Sequence, residues 1–172
     1  IGYIPQKATL FSGTIESNLR YADENATDST IENALEVSQA KEFVSKMPSG
    51  IEEPISQGGT NVSGGQKQRL SIARALVKNA DIYIFDDTFS ALDYHTDALL
   101  REALNKMVKE KHSTVFIVAQ RISSIMHADK IIVLDQGKIV GNGTHAELMK
   151  NCPVYQEIAY SQLSRKELAV NE

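Results

Sequence analysis

The chain has 172 residues, of which 42% are hydrophobic, and it carries a formal net charge of −4 at pH 7. This length suits one compact domain, and the acidic balance gives no general electrostatic reason to bind nucleic acid. The single cysteine, Cys152, can form no internal disulfide, and no apolar run approaches the roughly 20 residues that span a bilayer. Because the chain begins at Ile1, inside an apolar run, we expect it to be a piece of a longer protein.

The first half of the chain alternates short apolar runs with helical periodicity. Residues 1–4 and 8–11 are apolar, and residues 29–38 predict a helix that Ser29 and Glu32 would cap reciprocally. A loop follows over residues 47–59. Residues 66–78 predict an amphipathic helix. Its core-facing side chains would be Leu70, Ala73, Leu76 and Val77, with Lys67, Gln68, Arg69 and Arg74 largely elsewhere.

The second half is typical of an alternating α/β structure. Residues 82–85, 114–118 and 131–135 are runs rich in Ile and Val, which favour buried parallel strands. Residues 94–109 predict a helix between the first two of these strands. Gln136 and Gly137 indicate a hairpin that continues over residues 138–141. Thr144 and Glu147 would then cap another short helix.

Two segments have the chemistry of a phosphate and metal site. Ser63 can cap the helix over residues 66–78, and Gly64 and Gly65 leave backbone N–H groups open at its positive end. A serine and two glycines alone are more often a plain cap. Asp86 follows four apolar residues and can hold Mg²⁺ in a phosphate site, although alone it would be as well explained as a turn residue.

Six segments together, in this order and spacing, resemble those of an ATP-binding-cassette (ABC) domain. They are "IGYIPQ", "LFSGTIESNL", "VSGGQKQRLSIARAL", "IYIFDD", "SALD" and "DKIIVLDQGKIVGNGTHAEL". The resemblance covers nearly the whole chain, and "LFSGTIESNLRY" is similar to the exporter branch. It implies an α/β, P-loop NTPase-like fold with an incomplete core sheet. Residues 1–12 and 80–172 would form that core, and about residues 13–79 an inserted α-helical signature subdomain.

The resemblance implies ATP and Mg²⁺ as cofactors, and it implies roles for single residues. Gln6 resembles the glutamine that touches the metal or the attacking water and senses the membrane domain. Asp86 resembles the Walker B aspartate, so that Gln6 and Asp86 would serve Mg²⁺, and Asp93 closes a D-loop that begins at Ser90. The segment 63–66 resembles the nucleotide-binding signature motif, and its residues are Ser63, Gly64, Gly65 and Gln66. Val62 precedes this segment, where the family usually has a leucine.

Two departures from the family pattern fall on the catalytic positions. Catalytic cassettes have a glutamate after the Walker B aspartate, whereas Asp87 is shorter by one methylene, roughly 1.5 Å. A misplacement of about 1 Å at a reacting centre can cost on the order of a hundredfold. Gln120 stands where the switch histidine would be, and glutamine cannot carry a titrating proton. Both changes resemble the degenerate half of a heterodimeric exporter.

Cassette sites are shared between subunits, so the intact signature motif implies that this chain completes the site of a second ABC subunit. A further partner would be a transmembrane domain, fused or associated, at the cytoplasmic face of the cell membrane. The segment "EPISQGG" resembles the exporter loop that contacts the partner's coupling helices, with Gln57 where a glutamate is common. No G-x-x-x-x-G-K-[ST] motif occurs in the chain, so we expect the isolated chain not to hydrolyse ATP.

Other functions remain open on the sequence alone. A DNA-associated cassette ATPase would interrupt these motifs with a long coiled coil, which is absent, and an importer or translation-type cassette is disfavoured by the exporter-like segment. Gly141, Gly143 and Ala146 match a dinucleotide fingerprint, but no strand with a terminal acid follows. The histidines show no metal-ligand spacing and are expected at the surface; they are His95, His112, His127 and His145.

Overall fold

The computed structural model describes residues 1–163, which divide into two compact units, Ile1–Val118 and a second that begins at Ala119. The strands are β1 (Gly2–Ile4), β2 (Gly13–Thr14), β3 (Pro54–Ile55), β4 (Ile82–Asp86), β5 (Thr114–Val118), β6 (Ile131–Asp135) and β7 (Lys138–Gly143). The α-helices are α1 (Ile15–Arg20), α2 (Asp28–Val37), α3 (Lys41–Ser45), α4 (Gly64–Val77), α5 (Tyr94–Lys111), α6 (His145–Asn151) and α7 (Pro153–Gln162). Short 3₁₀ turns occur at Gly50–Glu52, Gln57–Gly59, Thr88–Ala91 and Ile122–Ser124.

The first unit contains a parallel sheet in the order β1-β4-β5. Side chains alternate between its faces, so Ile4 and Phe85 are fully buried while Phe116 and Val118 are more than half exposed. The parallel pairing of β4 and β5 confirms the sequence prediction. The expectation that residues 114–118 are buried on both sides is wrong, because in the described residues the core covers one face of this sheet.

Helix α4 is the centre of the first unit's core, and its predicted core face is confirmed. Its buried side chains include Leu70, Ala73, Leu76 and Val77. It passes so close to β1 that a Cβ on Gly2 would lie 3.1 Å from the Ala75 carbonyl oxygen and 2.6 Å from the Tyr83 ring, so glycine is required there. Gln68, expected away from the core, is also buried, because it faces the chain that leaves β1.

Helix α2 confirms the predicted helix but not its cap. Thr27 is the N-cap, and its hydroxyl accepts from the Thr30 N–H at 3.2 Å. Ser29 therefore lies inside the helix, where it cannot act as a cap. Glu32 forms an ion pair with Lys41 at 2.9 Å instead of returning to the helix start.

The second unit is built on a β6–β7 hairpin, and the prediction of its turn is confirmed. Gln136 and Gly137 have φ of 45° and 76°, the backbone that a two-residue hairpin turn requires. The prediction that residues 131–135 form a parallel strand is wrong, since β6 pairs antiparallel with β7. A two-residue turn reverses the direction of the chain, so β7 returns directly beside β6 as its antiparallel partner. Thr144 and Glu147 form the predicted capping box at the start of α6.

His145 departs from the expectation that the histidines lie at the surface. It is buried in the second unit, and its Nδ1 lies 2.7 Å from the Tyr155 hydroxyl, which is also buried. Cys152 is buried and free, consistent with a structural role. Within the described residues, no helix combines the length and the apolar character that crossing a membrane demands.

Candidate functional site

Asp86 and Asp87 lie where β4 ends, beside the point where the chain leaves β1. Ile4 pairs with Phe85 in the parallel register, so the residues that follow both strands emerge at the same edge of the sheet. The carboxyl ends of parallel strands are the usual place for ligand-binding residues in α/β sheets. This arrangement places Gln6, Asp86 and Asp87 at one edge of the sheet.

A direct hydrogen bond joins Gln6 to Asp87. The Gln6 side-chain N–H donates to Asp87 Oδ2 at 3.2 Å. Two further contacts hold the backbone just before Gln6: the Thr88 hydroxyl donates to the Ile4 carbonyl at 3.3 Å, and the Gln68 amide donates to the Pro5 carbonyl at 3.5 Å. Thr88 is fully buried, so these bonds fix the position of Gln6 from the core side.

Asp87 has a left-handed backbone, with φ 44° and ψ 31°. Its N–H donates to the Val118 carbonyl at 2.9 Å, which ties it to the end of β5. Aspartate is among the few residues other than glycine that adopt this conformation with little strain, because its short polar side chain bonds locally. The turn after β4 therefore favours an aspartate at position 87 for a reason that the motif pattern did not contain.

Tyr3 contacts Asp86, and sequence reasoning missed it. The Tyr3 hydroxyl donates to Asp86 Oδ2 at 3.1 Å, and this hydrogen bond to the carboxylate raises the pKa of the Tyr3 phenol. The contact follows from the parallel register of β1 and β4, which the motifs do not specify. The pairing Tyr3 with Ile84 places Tyr3 on the same sheet face as Ile84 and Asp86.

The donor set fits a magnesium ion that is held mainly by a nucleotide. Asp86 would supply a carboxylate oxygen and Gln6 an amide oxygen, and Mg²⁺ prefers oxygen ligands. In the part of the chain that the structure describes, no group of three His, Cys, Asp or Glu side chains is placed to hold a metal by itself. The remaining ligands would therefore be phosphate oxygens and water, as is usual for Mg²⁺ at phosphate sites.

Ser63 forms the predicted cap at the start of α4, in a reciprocal arrangement with Gln66. The Ser63 hydroxyl accepts from the Gln66 N–H at 3.2 Å, and Gln66 Oε1 accepts from the Ser63 N–H at 2.9 Å. Ser63 and Gly64 are exposed, and no atom lies within 4 Å of a Cβ placed on Gly64. The positive end of a long helix is thus open to an anion from outside this chain.

The segment between β4 and α5 is held from several sides. Asp93 caps α5, its carboxylate accepting from the Thr96 N–H at 3.0 Å, and this bond lowers the pKa of Asp93. Phe89 is buried between the Phe85 ring, 5.3 Å away, and the Arg101 guanidinium, 3.9 Å away. The backbone from Asp87 to Asp93 is therefore anchored at both ends and in its middle.

Gln120 belongs to the second unit, which is described by itself. Its side chain is exposed, and its backbone carbonyl accepts from the Gln162 amide at 2.8 Å. This bond joins the segment after β5 to the last turn of α7.

Comparisons with known proteins identify relatives of the chain. The profile of the ABC transporter family matches residues 1–90. An uncharacterized ABC transporter ATP-binding protein of Mycobacterium tuberculosis is 48% identical over 94% of this chain and 28% of that protein. A Rickettsia felis protein whose name describes an export ATP-binding/permease protein is 40% identical over 95% of this chain and 28% of that protein. The solved structure of a bacterial Atm1-family ABC exporter with ATP bound has a TM-score of 0.90 and 34% identity, covering 95% of this chain and 29% of that one.

Proposed function

Because this chain belongs to the ABC transporter family and has the mixed α/β fold of its cassettes, we propose that it is part of the ATP-binding subunit of an exporter. The observation that carries this proposal is the meeting of Gln6, Asp86 and Asp87 at one sheet edge, with an open, capped helix start at Ser63. The chain spans less than a third of the length of these relatives, so the activity of the whole protein is part of the proposal.

ATP and Mg²⁺ are the cofactors of this proposal. When bound, Mg²⁺ would neutralise charge on the phosphate oxygens and orient them. Asp86 and Gln6 would hold it with a carboxylate and an amide oxygen. Asp93 would keep the loop after β4 in place at the subunit interface. In this assignment residues 13–79 form the helical subdomain, and the core is formed by residues 1–12 and 80–172.

The ATP site on this chain's own side would be degenerate. Asp87 is one methylene shorter than the glutamate that polarises water, and Gln6 occupies one of its oxygens at 3.2 Å. A carboxylate that cannot reach as far is poorly placed to act as a general base, because the base must lie within hydrogen-bond distance of the water it activates. Gln120 adds to this, since a glutamine can donate to a phosphate but cannot carry a positive charge.

The partner's ATP site would remain competent and would depend on this chain. Ser63, Gly64 and Gln66 form an intact, partly exposed helix start that can bind a phosphate presented by another subunit. The proposed assembly is a heterodimer of two ABC subunits with a transmembrane domain, located at the cytoplasmic face of the cell membrane. The Rickettsia relative, named for both ATP binding and a permease, supports the transmembrane partner.

Single-turnover hydrolysis in the full heterodimer tests the proposal. With the partner's catalytic glutamate disabled, only the ATP site on this chain's own side could hydrolyse ATP, and we expect slow or no turnover. Fast turnover in that background would contradict the degenerate assignment and make Asp87 a catalytic residue. Loss of ATP binding at both sites would contradict the ATP-binding function itself.

A further inference from the structure

The hydroxyl of Tyr3 has a defined polar partner although its ring has little support from the core. Tyr3 is 55% exposed, on the open face of the β1-β4-β5 sheet, and its hydroxyl lies 3.1 Å from Asp86 Oδ2. Tyr3 pairs with Ile84, so its side chain leans along the strand by two residues to reach Asp86. The end of β1 thus sends one side chain to each of two neighbouring carboxylates, Tyr3 to Asp86 and Gln6 to Asp87.

A hydrogen bond to one oxygen of a carboxylate also restricts the direction in which the other oxygen points. Oδ2 of Asp86 is held by the Tyr3 hydroxyl, which limits rotation of the carboxylate about its last bond. Oδ1 would then be the oxygen left for a metal or for water bound to a metal. Magnesium demands near-ideal octahedral geometry, so a carboxylate already held in one orientation binds it at lower entropic cost.

We propose that Tyr3 is a positioning residue that orients the Asp86 carboxylate for the magnesium ion of the nucleotide site. This inference rests on the proposed function and extends it to a residue outside the motifs. Phenylalanine at position 3 would keep the ring and remove only the hydroxyl. Its effect would therefore fall on metal affinity and leave the fold and the binding of metal-free nucleotide as they are.

The test uses the full-length protein with its partner subunit and Mn²⁺ as the probe. The partner's Walker B aspartate is replaced, so that one metal site remains, and bound Mn²⁺ is measured by electron paramagnetic resonance in saturating ATP. Tyr3→Phe should raise the half-saturating Mn²⁺ concentration by about tenfold or more, as expected for one lost hydrogen bond to a charged group. ATP affinity in the presence of EDTA should not change.

Two further variants make the outcomes distinct. Tyr160→Phe is the matched control, since Tyr160 is an exposed tyrosine of α7, and it should behave as the wild type. Asp86→Asn should raise the half-saturating concentration more than Tyr3→Phe does. A wild-type response of Tyr3→Phe together with a weakened Asp86→Asn would overturn the role of Tyr3 and leave the proposed function standing. A wild-type response of both variants would overturn the metal site and the proposal with it.

Discussion

The amide nitrogen of Gln6 lies 3.2 Å from Oδ2 of Asp87 and donates a hydrogen bond to it. The contact joins the end of β1 to the turn after β4, across 81 positions of sequence. It also occupies one oxygen of the carboxylate that would have to act as a base. Gln6 therefore holds the Asp87 side chain in place.

We predict that Asp87→Glu alone restores little ATP hydrolysis at this side of the heterodimer. The left-handed backbone at position 87 suits aspartate better than glutamate, and Gln120 still could not carry a titrating proton or a positive charge. Asp87→Glu combined with Gln120→His should restore more than the sum of the single changes, since both residues would act on one transition state. Single-turnover rates of the three variants, with the partner's site disabled, measure this.

Asp87→Ala is the complementary variant. It should lower total ATPase activity by far less than the roughly hundredfold loss expected when a working base is removed. Full activity of Asp87→Glu by itself, or a collapse of total activity in Asp87→Ala, would be incompatible with a degenerate site.

We predict that Ser63→Arg in the full heterodimer abolishes most ATP turnover. The substitution places bulk and positive charge at the exposed start of α4, where the partner's nucleotide would bind. It also removes a helix cap, a loss of about 1 kcal/mol. Thr144→Arg is the matched control, because Thr144 caps α6 through the same reciprocal arrangement. ATPase assays should separate the two variants, and equal activities would show that the partner's site does not use Ser63.

We predict that Asn18→Ala lowers the free energy of unfolding by about 1 to 3 kcal/mol, as expected when buried polar groups lose their partners. The buried Asn18 side chain accepts from the Phe11 N–H at 2.8 Å and donates to the carbonyls of Phe11 and Thr14, each at 2.9 Å. Asn25→Ala, at an exposed asparagine, should stay within about 0.5 kcal/mol of the wild type. Urea unfolding measures both, and a similar small effect for the two would refute the role of Asn18.

We predict that acidification below about pH 6.5 destabilises the protein through His145. Burial, and secondarily the charge of His127, lowers the pKa of His145 in the folded state. The unfolded chain therefore binds a proton that the folded chain resists, so the stability present above pH 6.5 is lost as the pH falls. The Tyr155 hydroxyl stays protonated throughout, because burial raises its pKa to about 12.

Melting temperatures between pH 7.5 and 5.5 check this prediction. His145→Gln should show a smaller loss of melting temperature over this range than the wild type. His95→Gln, at an exposed histidine of α5, should show the wild-type loss. An unchanged pH dependence in His145→Gln would assign the acid sensitivity to other groups.

We predict that the isolated 172-residue chain neither binds ATP with Mg²⁺ appreciably nor hydrolyses it. Its residues include no G-x-x-x-x-G-K-[ST] loop to enclose the phosphates, and Asp86 and Gln6 supply only part of a metal shell. Titration calorimetry with ATP and Mg²⁺ should show no heat of binding at micromolar concentrations. A micromolar dissociation constant would contradict it.

Local patterns in the sequence were sufficient for the helix over α4, its cap at Ser63, the hairpin turn at Gln136–Gly137 and the cap of α6. Each of these depends on residues within a few positions of one another, where side-chain chemistry and backbone preference act directly. The motifs implied that Gln6 and Asp86 serve Mg²⁺ and that Asp87 stands at the catalytic position, and these roles stay predictions.

Tertiary structure decided what depends on partners far apart in the chain. The contact of Tyr3 with Asp86 and that of Gln6 with Asp87 exist because β1 and β4 are parallel neighbours in a fixed register. The burial of His145 against Tyr155 and the antiparallel pairing of β6 likewise depended on which surfaces meet. A single sequence states the periodicity of each segment, but which faces are covered is set by packing among segments distant in sequence, and local patterns do not record it.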